Sequence, residues 1–150
     1  MTEVSTEPTA IEIEQGIHGQ SVDWYLQELV GLANTSGLEM GLTLNVGGSV
    51  VSGTLISGRK YFETFAQQFA SAWPGDEETK ENIRKSLATH AKIYDSPETE
   101  DLPPPQYVHL TNAKVHSPTG SLPTNSGVLW RGKVNAVSGF SLGSLSSSDA

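Results

Sequence analysis

The chain has 150 residues, a formal net charge of −8 and no cysteine. The negative charge disfavours nucleic acid and anionic membranes as partners, since both are bound mainly through Lys and Arg, and the lack of cysteine excludes disulfides, zinc ribbons and thiol catalysis. Residues 1–15 contain several Glu and no leader sequence, and no run reaches the roughly 18 apolar residues of a membrane span. We therefore expect a cytoplasmic protein with no lipid-membrane partner.

The order of apolar patterns along the chain predicts an α+β fold. We expect a disordered acidic tail over residues 1–19, a single domain over 20–142 and a disordered tail over 143–150. The domain is predicted to contain a small, strongly bent antiparallel sheet of four to five strands, with an Sm-like barrel as a variant. It also contains an N-terminal helix, and a helical insertion (59–94) with a linker (95–106) separates the two hairpins.

The first helix has a signal at each end. Apolar residues recur at helical spacing from Val22 to Ala33. Ser21 is predicted to cap this helix, Asp23 favours the helix dipole from the first turn, and Gly37 marks the end.

A hairpin follows the first helix. Apolar residues alternate over 42–56, which predicts two strands joined at Gly47 and Gly48, because this pair tolerates the positive φ angles of a tight turn. Gly53, inside the second strand, indicates a bend or a close approach of two backbones.

A second helix is predicted directly after the hairpin, and it carries an aromatic stripe. The stripe consists of Phe62, Phe65, Ala66, Phe69, Ala70 and Trp73. Steps of three and four residues place these side chains on one helical face. Packing against the sheet is the interpretation that we favour, and a partner-binding surface is the alternative. Pro74 and Gly75 end the helix, and residues 76–94 predict a weaker third helix with many charges.

The second half of the chain returns to strands. Three prolines at 103–105 forbid a helix and belong to the linker. Alternation over 107–116 predicts a third strand, and residues 117–127, rich in Ser, Thr, Pro and Gly, predict a loop. Residues 128–142 predict one long bent strand or two short ones, with Gly132 as a bend point.

The residues offer no convincing catalytic constellation. Residues 139–143 match the G-x-S-x-G pattern of serine hydrolases around Ser141, but no histidine follows and no room remains for the helix that this motif needs. The acidic clusters at 76–81 and 98–101 are interpreted as a solvated helix start and linker charge. Four histidines are predicted to be at the surface or half-buried, without converging on a metal: His18, His90, His109 and His116. We expect no enzyme activity, cofactor, metal or small-molecule substrate, and keep a serine hydrolase as a third alternative.

The run around Trp130 is the best candidate for partner binding. A cation next to an indole, as in Trp130, Arg131 and Lys133, can bind a carboxylate or stack on an aromatic group. The alternative is that Trp130 faces the core while Arg131 and Lys133 line the solvent face of an edge strand.

Two family resemblances extend this interpretation. Gly48, Gly53 and Leu55, followed later by Arg131 and Gly132, resemble the two motifs of the Sm-like small β-barrel. That resemblance implies a barrel-like curl of the sheet and, as an alternative function, RNA binding through Arg131 and Lys133.

The closer resemblance is to the gas vesicle accessory protein U family (GvpU). It rests on three blocks in the family's order: Leu44–Glu63, Tyr107–His116 and Val128–Ser146. The resemblance implies a non-enzymatic cytosolic protein that supports vesicle formation and clustering through self-association. Its expected partners are further copies of itself and the gas vesicle surface or other gas vesicle proteins, so its expected location is the cytoplasm in association with gas vesicles.

Overall fold

The computed structural model describes Glu7, Thr9, Ala10 and Ile13 together with residues 22–95 and 103–145. Most of the predicted N-terminal tail, Ser21, residues 96–102 of the linker and the last five residues lie outside the described residues. The described chain is α+β, as predicted, with three α-helices and a six-stranded antiparallel sheet.

The elements follow one another in the predicted order. They are α1 (Trp24–Ser36), β1 (Met40–Val46), β2 (Ser49–Ile56), α2 (Gly58–Ala72), α3 (Glu77–Ala88), a 3-10 turn (Thr89–Tyr94), β3 (Tyr107–Ser117), β4 (Gly120–Leu122), β5 (Val128–Lys133), a 3-10 turn (Val134–Ala136) and β6 (Val137–Leu142). The short strand β4, which forms a hairpin with the end of β3, lies in the segment predicted to be a loop.

The sheet is open, so the barrel variant of the prediction is wrong. The strand order is β4-β3-β2-β1-β6, and β5 also pairs with β3. In the described chain β6 pairs with β1 and β5 with β3, and no ladder joins β5 to β6. The two ends of the sheet therefore remain edges.

The connection between β5 and β6 shows that the sheet is strongly bent. Only the turn Val134–Ala136 joins these strands, although β3, β2 and β1 lie between them in the sheet. In a flat sheet they would be roughly 19 Å apart, whereas the chain from Lys133 to Val137 spans at most about 14 Å. Register shifts supply the bends, at Gly53 in β2, between Asn45 and Val46 in β1, and at Asn112 in β3.

The main core lies between α1 and one face of the sheet. Leu26, Val30 and Ala33 of α1 are buried against a set of sheet residues. That set consists of Leu42, Leu44, Val51, Leu55, Val108, Leu110, Ala113 and Val137. The alternation predicted for β1, β2 and β3 produces this face, and the helical spacing of α1 places its buried residues on one side.

The opposite face of the sheet is covered by α2 at one end and by the C-terminal segment at the other. Tyr61 of α2 is buried and lies over His109 of β3. Thr43 Oγ1 donates to the Gly143 carbonyl over 2.7 Å, and Leu145 N donates to Ser52 Oγ over 2.6 Å. The first residues of the predicted C-terminal tail thus lie across β1 and β2.

The helix boundaries correct one prediction. Asp23, rather than Ser21, is the N-cap of α1, because its carboxylate accepts hydrogen bonds from the backbone N–H groups of Tyr25 and Leu26. Gly37 ends α1 with φ +71°, as predicted. Asn34 has a second role, since its Oδ1 accepts a hydrogen bond from Gly58 N and so joins the end of α1 to the start of α2.

Candidate interaction surfaces

The structure places Trp130, Arg131 and Lys133 in three different environments. Trp130 is half-buried and packs against the main core, and its indole occupies the space that a side chain at Gly132 would need. Arg131 points to the opposite face of the sheet, towards α2, while Lys133 is exposed at the end of β5. Gly132 thus lies under the indole, whereas the bend in this strand pair is at Asn112 of β3.

Arg131 is held by a buried histidine. Its Nη1 lies 2.9 Å from Nε2 of His109, whose side chain is only 1% exposed. A guanidinium can only donate, so His109 Nε2 is the acceptor and the imidazole proton is on Nδ1. Nδ1 has no hydrogen-bond partner in the described chain. The prediction of a surface or half-buried histidine is therefore wrong at His109.

Aromatic rings enclose the Arg131 guanidinium. Its Cζ lies 3.8 Å from the ring centroid of Tyr107, 5.2 Å from that of Phe62 and 5.8 Å from that of Tyr61. Cation–π attraction of this kind stabilises a guanidinium that has lost part of its water. We define Tyr61, Phe62, Tyr107, His109 and Arg131 as the arginine cluster, which fastens α2 to β3 and β5.

Burial, more than charge, keeps the histidine of the arginine cluster neutral. Burial, and secondarily the positive charge of Arg131, lowers the pKa of His109 to about 3. Burial also raises the pKa of Tyr61 and of Tyr94, which the charge of Arg131 partly opposes. His109 therefore stays neutral beside the Arg131 cation at neutral pH, which suits a structural contact rather than acid–base catalysis.

A shallow polar pocket lies next to the exposed end of β5. It measures about 210 Å³ and is lined by Gln106, Tyr107, Lys133 and Asn135. Of the three residues predicted to bind a partner, Lys133 can do so without breaking a contact inside the domain. Arg131, which an RNA-binding mode would also need, is committed to the arginine cluster.

Three aromatic residues of α2 are exposed, contrary to the prediction that the whole stripe packs against the sheet. Phe65 is 39% exposed, Phe69 43% and Trp73 42%, whereas Ala66 and Ala70 are buried. The three rings form a continuous series, with centroids 5.9 Å apart from Phe65 to Phe69 and 5.8 Å apart from Phe69 to Trp73. We call Phe65, Phe69 and Trp73 the aromatic row.

The aromatic row is exposed because α2 is longer than its contact with the sheet. Tyr61 and Phe62, in the first half of α2, reach His109, while Phe65 stacks on Tyr61 and starts the row. The neighbouring helix α3 offers little apolar cover, since none of its residues is buried. Its sequence, EETKENIRKSLA, contains only two large apolar residues. This composition is a signal in the sequence that α3 is too polar to cover the whole aromatic stripe of α2.

A second exposed aromatic group lies on the other face of the sheet. Trp24 and Tyr25 at the start of α1 have ring centroids 5.4 Å apart, and Tyr25 lies 6.3 Å from Phe140 of β6. Phe140 packs against the main core on the α1 side. The domain thus presents aromatic surface on two opposite sides.

The remaining candidates have structural explanations. Ser141 lies inside β6 and pairs with Thr43, so the chain continues as a strand through the serine instead of turning into a helix. Asp76 caps α3, and Glu81 pairs with Arg84 on its surface. His90 is exposed in the 3-10 turn, and His18 lies outside the described residues.

Taken together, the helices and the sheet define a small α+β domain, with aromatic side chains exposed on both sides of a bent sheet. In the described part of the chain, no helix is both long enough and apolar enough to cross a membrane. Residues 23–145 match the family model described as gas vesicle protein GvpU-like. The chain therefore belongs to the GvpU-like family, as its sequence blocks indicate. Neither the curated proteins nor the solved structures contain a match.

Proposed function

We propose that this chain is a non-enzymatic, cytoplasmic gas vesicle accessory protein that self-associates and contacts gas vesicles, and so supports their formation or clustering. The observation that carries the proposal is the family match, which extends over nearly all of the described domain. Association with gas vesicles is what the family itself suggests. We add self-association and clustering, which the resemblance of the three sequence blocks implies.

The exposed aromatic groups support these additions. A protein that clusters particles needs at least two contact surfaces, and here aromatic side chains are exposed on both sides of the sheet. Aromatic side chains contribute large contact areas at a small cost in conformational entropy. Many weak contacts of this kind on a vesicle surface sum to high avidity.

We assign Trp130, Arg131 and Lys133 to the partner-binding edge of β5, with unequal roles. Lys133 is exposed beside the polar pocket and would contact an acidic group of a vesicle protein. Trp130 and Arg131 position this strand through the main core and the arginine cluster. Replacing Lys133 by Glu should therefore weaken vesicle contact without changing the thermal stability of the domain.

Co-flotation tests the proposed function. Purified gas vesicles are mixed with the protein and centrifuged, and the protein in the floating layer is measured together with the size of vesicle clusters by light scattering. We expect the protein to float with the vesicles and to enlarge the clusters as its concentration rises. An unrelated acidic protein of similar size is the control. If the protein stays in the lower layer and cluster size does not change, the proposal is wrong.

A further inference from the structure

We propose that the aromatic row of α2 is the surface on which a second copy of this chain docks, with the two α2 helices antiparallel around a two-fold axis near Phe69. This inference rests on the proposed self-association and names the surface that performs it.

The first argument is that the aromatic row is apolar surface that the described residues leave partly uncovered. Phe69 contacts Phe65 and Trp73, and Phe65 also contacts Tyr61. Each side chain of the row remains about two-fifths exposed. Residues four apart lie on the same side of a helix. The row is therefore a straight ridge, about 12 Å long between Phe65 and Trp73.

The second argument is that the charge distribution permits a second copy to dock on this surface. Each copy carries a formal charge of −8, so two copies repel one another unless they meet through uncharged surface. Residues 64–73, which are the second half of α2 and its C-cap Trp73, contain no charged side chain. The aromatic row thus lets two acidic chains approach without placing like charges opposite each other.

The third argument is that the two ends of α2 are complementary in an antiparallel pair. Arg59 lies in its first turn, whereas Lys60 projects from the side of α2 opposite Phe69, and Asp76, Glu77 and Glu78 follow the end of the helix. A two-fold axis near Phe69 brings the basic end of one α2 towards the acidic end of the other. Arg59 already pairs with Asp95 and Lys60 with Glu39, so this attraction orients the pair more than it strengthens it.

The size of the surface predicts a weak contact. Three aromatic side chains that are each about two-fifths exposed offer roughly 250 Å² per copy, well below the approximately 800 Å² per partner of a stable interface. The contact therefore forms at high local concentration, as on a crowded vesicle surface, and dissociates on dilution. This is the behaviour that concentration-dependent clustering needs.

The first test removes the row. The variant Phe65→Gln, Phe69→Gln, Trp73→Gln and the control variant Leu32→Gln, which changes an exposed apolar residue of α1, are compared with the original chain by sedimentation velocity over a range of concentrations. We expect self-association to weaken at least tenfold in the row variant and to remain unchanged in the control. Circular dichroism and thermal unfolding show whether each variant is folded.

The second test leaves the aromatic rings in place and so avoids loss of folding. Gln68 is exposed beside the row, and the two-fold axis brings the two copies of residue 68 close together. We expect Gln68→Glu and Gln68→Lys each to weaken self-association severalfold, and an equal mixture of the two to restore it, because opposite charges then face each other. Equal association of both single variants and their mixture would overturn the two-fold arrangement.

The outcomes separate this inference from the proposed function. If the original chain remains monomeric at all concentrations, the self-association in the proposed function is wrong. If the original chain self-associates and the row variant does so equally, only the aromatic row is wrong as the docking surface. If the row variant still self-associates but no longer floats with gas vesicles, the row contacts the vesicle instead of a second copy.

Discussion

At the scale of single residues, the arginine cluster shows how a polar pair can be buried inside a small domain. His109 supplies an acceptor for Arg131, and the rings of Tyr61 and Tyr107 replace much of the water around the guanidinium. The unpartnered Nδ1 of His109 and its depressed pKa indicate that this burial is costly. The packing of α2 on the sheet, which the cluster holds in place, offsets this unfavourable free energy.

The depressed pKa of His109 predicts a loss of stability in acid. The folded pKa of about 3 lies below the ordinary value of 6.5, so only the unfolded chain binds a proton between these values. The free energy of unfolding therefore keeps its full value above pH 6.5 and decreases as the pH falls towards 3. The decrease due to His109 is about 3 kcal/mol between pH 7 and pH 4. Urea unfolding at several pH values measures it.

The variant His109→Phe isolates this contribution. It should lower the free energy of unfolding at neutral pH, because Arg131 loses its acceptor, yet that energy should depend less on pH between 7 and 4. Surface carboxylates such as Asp76, whose pKa is lowered by its hydrogen bonds to Thr79, affect both chains equally. Parallel pH profiles for the two chains would contradict the prediction.

Gly53 allows a second prediction at this scale. A Cβ at this position would lie 2.9 Å from the carbonyl oxygen of Thr111 and 3.0 Å from Cα of Ala113, both in the backbone of β3. Because a backbone cannot swing aside, Gly53→Ala should lower the free energy of unfolding by about 1–3 kcal/mol. Gly31→Ala is the matched control in α1, where a Cβ meets nothing within 4 Å. It should raise stability by about 0.5–1 kcal/mol.

At the scale of elements, the helical insertion divides into an anchored part and a loosely attached part. The first half of α2 is fixed through Tyr61 and Phe62, and the 3-10 turn contributes the buried Ala91. Helix α3 contributes no buried residue and is stabilised by its Asp76 cap and by surface ion pairs such as Glu81 with Arg84. Exposed pairs of this kind contribute little to stability.

This difference predicts separate opening of α3. Native-state hydrogen exchange should show that the amides of α3 exchange through a local opening. The free energy of this opening should be at least about 2 kcal/mol lower than that of the opening that exposes β2. The strands serve as the internal control, because β2 is central in the sheet and lies in the main core. Equal protection of α3 and β2 would show that the insertion unfolds together with the sheet.

At the scale of the whole molecule, net charge and exposed apolar surface oppose each other. The chain has a formal charge of −8, and its aromatic groups lie on opposite sides of the sheet. Charge repulsion keeps copies apart at low salt, while apolar contact favours association at short range. The balance between them is set by ionic strength.

Self-association should therefore strengthen as salt rises. Between about 0.05 M and 0.5 M NaCl the screening length falls severalfold, so the repulsion between acidic chains weakens while apolar contact persists. Sedimentation equilibrium at both salt concentrations measures the change. A contact made by Lys133 with an acidic group would weaken over the same range, so weaker self-association at high salt would indicate that β5 forms the contact.

The sequence by itself determined the helices and every strand except β4, because these depend on local pattern. The Gly47–Gly48 turn, with φ angles of +56° and +81°, and the αL residue Gly37 are properties of short stretches of chain. Alternation over β1, β2 and the part of β3 before Asn112 also specified which side chains face α1. The three family blocks, read as letters alone, indicated the family.

The tertiary structure decided which faces are covered, because coverage depends on residues that are distant in the chain. The aromatic stripe of α2 has the spacing of a core helix, yet its second half extends beyond the sheet, and α3 is too polar to cover it. His109 alternates like a solvent-facing residue, but α2 packs over it and Arg131 reaches it from β5. Local periodicity fixes the direction of a side chain within its element, whereas only the packing of elements determines whether that side chain meets protein or water.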